Sequence, residues 1–240
     1  MKVGFFDSGV GGLSILNAFR GLCPDVETVY LADTAHCPYG NRPAEEIVAL
    51  SLACTERLLA SGCGMVVVAC NTATAAAIET LRRRYPEISF VGLEPAIKPA
   101  ALRSKSGVIG VLATRGTLKG RLYNETKDRF AKGVKVLTAV ADEFVEMVEA
   151  VAAPDGQSLD SARLDTPSNY ETVRRRIEPL LDAGVDVLVL GCTHFPHLRP
   201  LIERVCAERA EVIDPCAAVA RQVKRVMSNR ERNGSSIFLF

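Results

Sequence analysis

Cys70 and Cys192 occupy matching places in the chain, each closing an apolar run and opening a polar one. Met65-Val66-Val67-Val68-Ala69 leads into Cys70-Asn71-Thr72, and Val187-Leu188-Val189-Leu190-Gly191 leads into Cys192-Thr193-His194. A thiol at a strand end, facing the unpaired backbone N–H groups of the following helix, can have its pKa brought from about 8.5 into the range 3.5–7.5. It then serves as base or nucleophile; packed as a small apolar group, it does neither. Two cysteines in equivalent settings, each followed by residues suited to helix caps, are harder to explain by packing alone.

The segment Phe6-Asp7-Ser8-Gly9-Val10-Gly11-Gly12 also ends an apolar run, and its glycines let backbone amides approach an anion closely. It lacks the Lys-Ser/Thr ending of a phosphate loop and the full dinucleotide spacing, so a carboxylate-sized anion fits better than a nucleotide. Cys192, His194 and His197 invite a metal reading, but zinc needs three or four ligands and Pro196 breaks the register across them. No metal is expected; His194 is better placed as a partner to a thiol and His197 as a surface or capping residue. The basic runs at 82–84 and 174–176 read as solvated helix faces.

The elements that must position these residues alternate along the chain. Strand-like segments at 3–6, 28–31, 65–69, 90–93, 108–112, 134–140, 187–190 and 212–213 are separated by helical spacing at 43–60, 72–84, 142–151, 169–183 and 200–208. Apolar runs without polar alternation belong to strands covered on both faces, so the class is α/β with mainly parallel sheets flanked by helices. The runs at 2–9 and 108–114 correspond as those at 65–72 and 187–194 do, which implies two pseudo-symmetric domains. The expected division is 1–95 plus 210–240 for the first domain and 96–209 for the second, with the strand near Val212 returning to the first. No element is assigned to the tail from Ser228, which is polar and then apolar at Ile237-Phe238-Leu239-Phe240.

The 240 residues suffice for one large or two modest domains, and 48% hydrophobic with 24% charged residues excludes disordered and fibrous classes. Lys and Arg number 29 against 28 Asp and Glu, so a net charge of +1 provides no global field for nucleic acid or a membrane surface. No apolar run approaches the roughly 20 residues of a membrane span, and Asp7 interrupts any signal-peptide core. A cytoplasmic protein is expected, its eight cysteines reduced.

FDSGVGG at 6–12, ADTAHCPYG at 32–40, ACNTATA at 69–75, EPAIKPA at 94–100, ATRGT at 113–117 and LGCTHFPHL at 190–198 occur in an order that resembles the glutamate racemases of the cofactor-independent aspartate/glutamate racemase superfamily. The resemblance implies two pseudo-symmetric α/β domains with the active site in the cleft between them, no cofactor, glutamate as substrate and a homodimer. It implies that Cys70 acts on the D-enantiomer and Cys192 on the L-enantiomer, assisted by Asp7 and His194 respectively. Ser8, Pro38, Tyr39, Gly40, Asn71, Thr72, Thr117 and Thr193 then hold the substrate, and Glu149 is an acidic residue near the second thiol. The resemblance further implies a role in supplying D-glutamate for peptidoglycan. The chain begins at its first strand, and no activator-binding appendage is expected. A broader amino-acid racemase and a non-catalytic binding protein for acidic amino acids are the other readings of these residues.

Overall fold

The computed structural model describes residues 1–234. Its first half runs β1 (Val3–Asp7), α1 (Leu13–Leu22), β2 (Thr28–Ala32), α2 (Ala44–Ala60), β3 (Met65–Val68), α3 (Asn71–Arg84) and β4 (Ser89–Val91). The second runs α4 (Ile97–Arg103), β5 (Val108–Ala113), α5 (Arg115–Lys119), α6 (Arg121–Phe130), β6 (Lys135–Val140), α7 (Glu143–Glu149), α8 (Pro167–Asp182), β7 (Val187–Leu190), α9 (Arg199–Cys206), β8 (Glu211–Ile213) and α10 (Cys216–Gly234). The strands form two four-stranded parallel sheets of the same order, β2-β1-β3-β4 and β6-β5-β7-β8. The repeat read from the sequence is thus a repeat of topology, with β1 matching β5 and β3 matching β7.

The central strands β1, β3 and β7 are buried along their whole length, as their unbroken apolar composition requires. Phe6, Val66 and Val68 face a core under α2 and α3, whereas Phe5, Met65 and Val67 face the opposite side, where α1 packs. That second core continues without a break into Leu112, Phe144, Leu190 and Phe195 of the other half. The two sheets are therefore joined by shared apolar packing as well as by the chain.

Where the sequence reading returned the strand near Val212 to the first domain, β8 instead pairs with β7, in the register Leu188↔Val212. The reason is connectivity: β7, α9 and β8 form one local crossover unit, and such a strand pairs readily with its neighbour in the chain. Only α10 crosses back, burying Val219, Val223 and Met227 in the core it shares with Leu16 and Phe19. Arg230 ties its far end to the first half through the carbonyls of Gly64 and Glu87. The polar residues from Ser228 to Gly234 continue this helix, and Ile237–Phe240 lie outside the described residues.

The stretch around Pro95 and Pro99, expected as a boundary, contains α4. Pro99 sits in the first turn, where a backbone N–H has no helical acceptor to lose.

Candidate active site

β1 and β3 end side by side and deliver Asp7 and Cys70. Asp7 is fully buried and is held by donors on both oxygens: Ser8 N–H at 2.7 Å and Ser8 Oγ at 3.2 Å on Oδ1, with Gly12 N–H at 2.5 Å and Thr193 Oγ1 at 3.1 Å on Oδ2. Thr193 belongs to the other half, so Asp7 also couples the two. Cys70 caps α3: its Sγ accepts from Ala73 N–H at 3.4 Å and its thiol donates to Ser8 Oγ at 3.8 Å. Cys70, Ser8 and Asp7 thus form a chain of hydrogen bonds along which a proton can travel.

β7 delivers Cys192, Thr193 and His194 to the same place from the opposite side. Cys192 Sγ lies 3.7 Å from Nδ1 of His194, whose Nε2 lies 2.6 Å from Oε1 of Glu149 at the end of α7. The same carboxylate oxygen accepts from Val10 N–H at 2.8 Å, reaching back to the glycine loop after β1. Phe144 of α7 packs edge-on against Phe195, with ring centroids 5.2 Å apart, and this contact fixes α7 against the loop that carries His194. Gly9 and Gly11 are required by proximity: a Cβ on Gly9 would lie 1.9 Å from Glu149 Oε1, and one on Gly11 would lie 2.3 Å from His194 Nδ1.

The two thiols face one narrow, nearly closed cavity, with about 10 Å³ of water-accessible space. Of the residues singled out in the sequence, Ser8, Pro38, Tyr39, Gly40, Cys70, Asn71, Thr72, Cys192, Thr193 and His194 line it. Asp7 stands behind Ser8 and Thr193, and Glu149 behind His194. Thr117 approaches from α5 and closes a triangle of hydroxyls with Thr72 and Thr114, with edges of 3.0, 3.0 and 3.4 Å. Asn71 is buried, yet neither its amide nitrogen nor its amide oxygen has a hydrogen-bond partner among the described residues. Such a group normally costs about 1–3 kcal/mol, and at the wall of this cavity the amide is open to partners from a ligand.

Sequence reasoning missed Thr114, Val145 and Cys37. Thr114 follows β5 as Ser8 follows β1, so the repeat itself contained that signal. Val145 was hidden as one apolar residue in an amphipathic helix. Cys37 precedes the Pro38-Tyr39-Gly40 turn through a cis peptide bond, and its sulfur joins Glu149 and His194 in one cluster. The metal reading considered for Cys192, His194 and His197 is not how these residues are arranged. His197 Nε2 lies 3.2 Å from the Gly11 carbonyl, and burial brings its pKa down to about 4. His197 is also largely enclosed instead of being a surface residue.

Burial pushes the Cys70 thiol well above its usual range, reinforced by the negative charge of Asp7, and the Ala73 amide only partly opposes this. The thiolate expected from the helix start is therefore not the resting form of Cys70. Burial also raises Asp7, against the pull of a positive His194. For His194, burial disfavours the charged ring, but its hydrogen bonds to Cys192, Cys37 and Glu149 outweigh that and hold its pKa well above the ordinary imidazole value. Burial likewise works against the charge on Glu149, yet His194 and the Val10 amide leave its pKa below normal.

Two buried thiols, each in a chain of hydrogen bonds that ends on a carboxylate, face one cavity between two parallel sheets, and this defines the class: an α/β protein with a paired-thiol site. Residues 13–223 match the Asp/Glu/Hydantoin racemase family, and the chain belongs to it. It is 47% identical to the glutamate racemase of Ectopseudomonas mendocina over 95% of this chain and 83% of that one. The corresponding values for the glutamate racemase of Roseiflexus sp. are 44%, 95% and 80%. Among solved structures, Escherichia coli glutamate racemase in complex with L-glutamate and the activator UDP-MurNAc-Ala superimposes with a TM-score of 0.83 at 34% identity, covering 95% of this chain and 82% of that one. Thermus thermophilus glutamate racemase in complex with β-chloro-D-alanine gives 0.74 at 31% identity, covering 96% and 81%.

Proposed function

We propose that this protein is a glutamate racemase, interconverting L- and D-glutamate through two thiols and without a cofactor. The observation that carries the reading is the pair of strand-end cysteines, Cys70 and Cys192, on one small cavity whose wall includes the unpartnered amide of Asn71. The relatives of similar length are glutamate racemases, and this substrate is carried over from them.

In the direction that starts from D-glutamate, Cys70 passes its proton through Ser8 toward Asp7 and, as thiolate, removes the α-proton. The Cys192 thiol then protonates the opposite face of the carbanion, and His194 replaces the proton it gave. From L-glutamate the roles reverse: Cys192, its proton already held on His194, removes the α-proton as thiolate, and Cys70 delivers its own. Negative charge developing on the α-carboxylate needs fixed donors in a water-poor site, and the Asn71 amide with the Thr72–Thr114–Thr117 hydroxyls supplies them. The cavity adjoins a wider cleft lined by Arg42, Arg115, Lys119 and Arg121, which shares Gly40 and Thr72 with it and gives an approach from solvent.

The product serves bacterial peptidoglycan synthesis in the cytoplasm, and the protein acts as a homodimer. Among the described residues no helix is long and apolar enough to cross a membrane. The deciding experiment is circular dichroism of L-glutamate incubated with purified protein and no added cofactor. Decay of the signal to zero is expected, whereas no change with glutamate but decay with L-aspartate would reassign the substrate.

A further inference from the structure

We infer that Cys37, Glu149 and His194 form an inhibitory binding site for a borderline divalent cation, Zn2+ in the first place, that bridges the two halves of the protein. The three side chains come from separate segments: the loop after β2, the end of α7 and the loop after β7. Their sulfur, carboxylate oxygen and imidazole nitrogen all lie within 4.8 Å of one another. Zinc bonds of 2.0–2.3 Å in tetrahedral geometry separate ligand atoms by about 3.5 Å, so the cluster is already near the required size. His194 Nε2 and Glu149 Oε1, now 2.6 Å apart, must open to admit the ion.

The donor set is a thiolate, a carboxylate and an imidazole, which zinc takes in preference to the oxygen-rich surroundings that suit calcium or magnesium. A fourth, open position is what a three-ligand zinc site normally leaves to water. Room beside the cluster is kept by Gly9, where a Cβ would lie 1.9 Å from Glu149 Oε1 and 3.1 Å from Cys37 Sγ. Cys37 and Glu149 are only half-buried, so an ion can arrive from outside, while His194 forms the buried floor.

Occupancy has a definite consequence. The ion takes the Glu149 oxygen and the outer nitrogen of His194, ending the proton exchange between His194 and Cys192 that the proposed function requires. It also staples the loop after β2, in the first half, to α7 and the His194 loop in the second. Neither Cys70 nor Cys192 is a ligand; Cys192 faces the other ring nitrogen, Nδ1.

The test is titration of the purified, reduced protein with Co2+, a spectroscopic substitute for Zn2+, watching for the intense near-ultraviolet sulfur-to-cobalt charge-transfer band. The wild type is expected to show the band at one equivalent and to lose it when Zn2+ is added. Cys37→Ser and Cys37→Val should lack it, whereas Cys70→Ser/Cys192→Ser should retain it; far-UV circular dichroism establishes that each variant is folded. In racemisation assays, with each protein compared with its own metal-free rate, Cys37→Ser should need at least about tenfold more Zn2+ for half-inhibition than the wild type. No band in the wild type, a band that survives in both folded Cys37 variants, or one lost from the Cys70→Ser/Cys192→Ser protein would overturn the site. Because cobalt binding is read without turnover, the inference can fail or stand separately from the racemase reading.

Discussion

His194 and Glu149 form an enclosed ion pair, Nε2 to Oε1 at 2.6 Å, and that same oxygen also binds the Val10 amide of the other half of the protein. One carboxylate thus sets the charge of the ring beside Cys192 and ties the glycine loop of the first sheet to α7 of the second. The pair has a stability signature. His194 is raised above the ordinary value of about 6.5, so its contribution is complete below that value and is lost as pH rises through the raised one. Glu149 is lowered, so its contribution is present above about 4.3 and is lost as pH falls through the lowered value. Glu149→Gln should therefore cost roughly 1–3 kcal/mol, most of it between about pH 5 and 7 and less on either side. Urea unfolding of both proteins across that range checks this; a pH-independent difference would contradict it.

Asp7→Asn and His194→Asn should damage the two directions of turnover unequally, because Asp7 is linked to Cys70 through Ser8 while His194 contacts Cys192. Equilibrium fixes the ratio of the two kcat/KM values for any variant, so the asymmetry must appear in kcat and in α-deuterium isotope effects measured separately from D- and L-glutamate. Indistinguishable profiles for the two variants would argue against separate relays.

Cys70→Ala and Cys192→Ala should each lower racemisation by at least about 10²–10⁴-fold, since each leaves the cavity without a base in one direction and an acid in the other. In D2O, wild-type protein given L-glutamate and stopped early should yield D-glutamate labelled at the α-carbon, while recovered L-glutamate stays largely protiated. Label returning equally to both enantiomers would point to a single base.

Asn71→Ala should raise KM for glutamate by roughly 10–100-fold with little or no fall in Tm. The amide has no partner among the described residues, so folding loses no hydrogen bond when it is removed, whereas a substrate would. A large drop in Tm with unchanged KM would make Asn71 a structural residue.

Gly11→Ala should retain the fold but lose most activity. The new methyl would meet Nδ1 of His194 at 2.3 Å, and relief must come from moving the ring away from Cys192. Overpacking of this kind costs about 1–3 kcal/mol, which thermal unfolding would register beside the kinetic loss. Activity close to wild type would show that His194 tolerates displacement.

Much of this protein is legible in the chain itself. Eight runs became eight strands, the central ones legible because a strand covered on both faces must be apolar at every position, and the likeness of the runs ending at Cys70 and Cys192 foretold two sheets of one topology. The residues at strand ends were legible for the same reason: a parallel sheet exposes those ends together, so Asp7 and Cys70 were bound to lie side by side at the end of one sheet and Cys192 at the equivalent end of the other. Tertiary structure alone decided the partners that come from far along the chain. Thr193 on Asp7, Val10 on Glu149 and Cys37 beside His194 depend on how the two halves pack, and no local pattern encodes that distance. It also decided the pairing of β8, which follows the crossover from β7 while α10 alone returns to the first half. The protonation of the thiols was likewise beyond the sequence. A helix start favours a thiolate, but burial opposes it, and burial is a property of the packed cleft that prevails at Cys70.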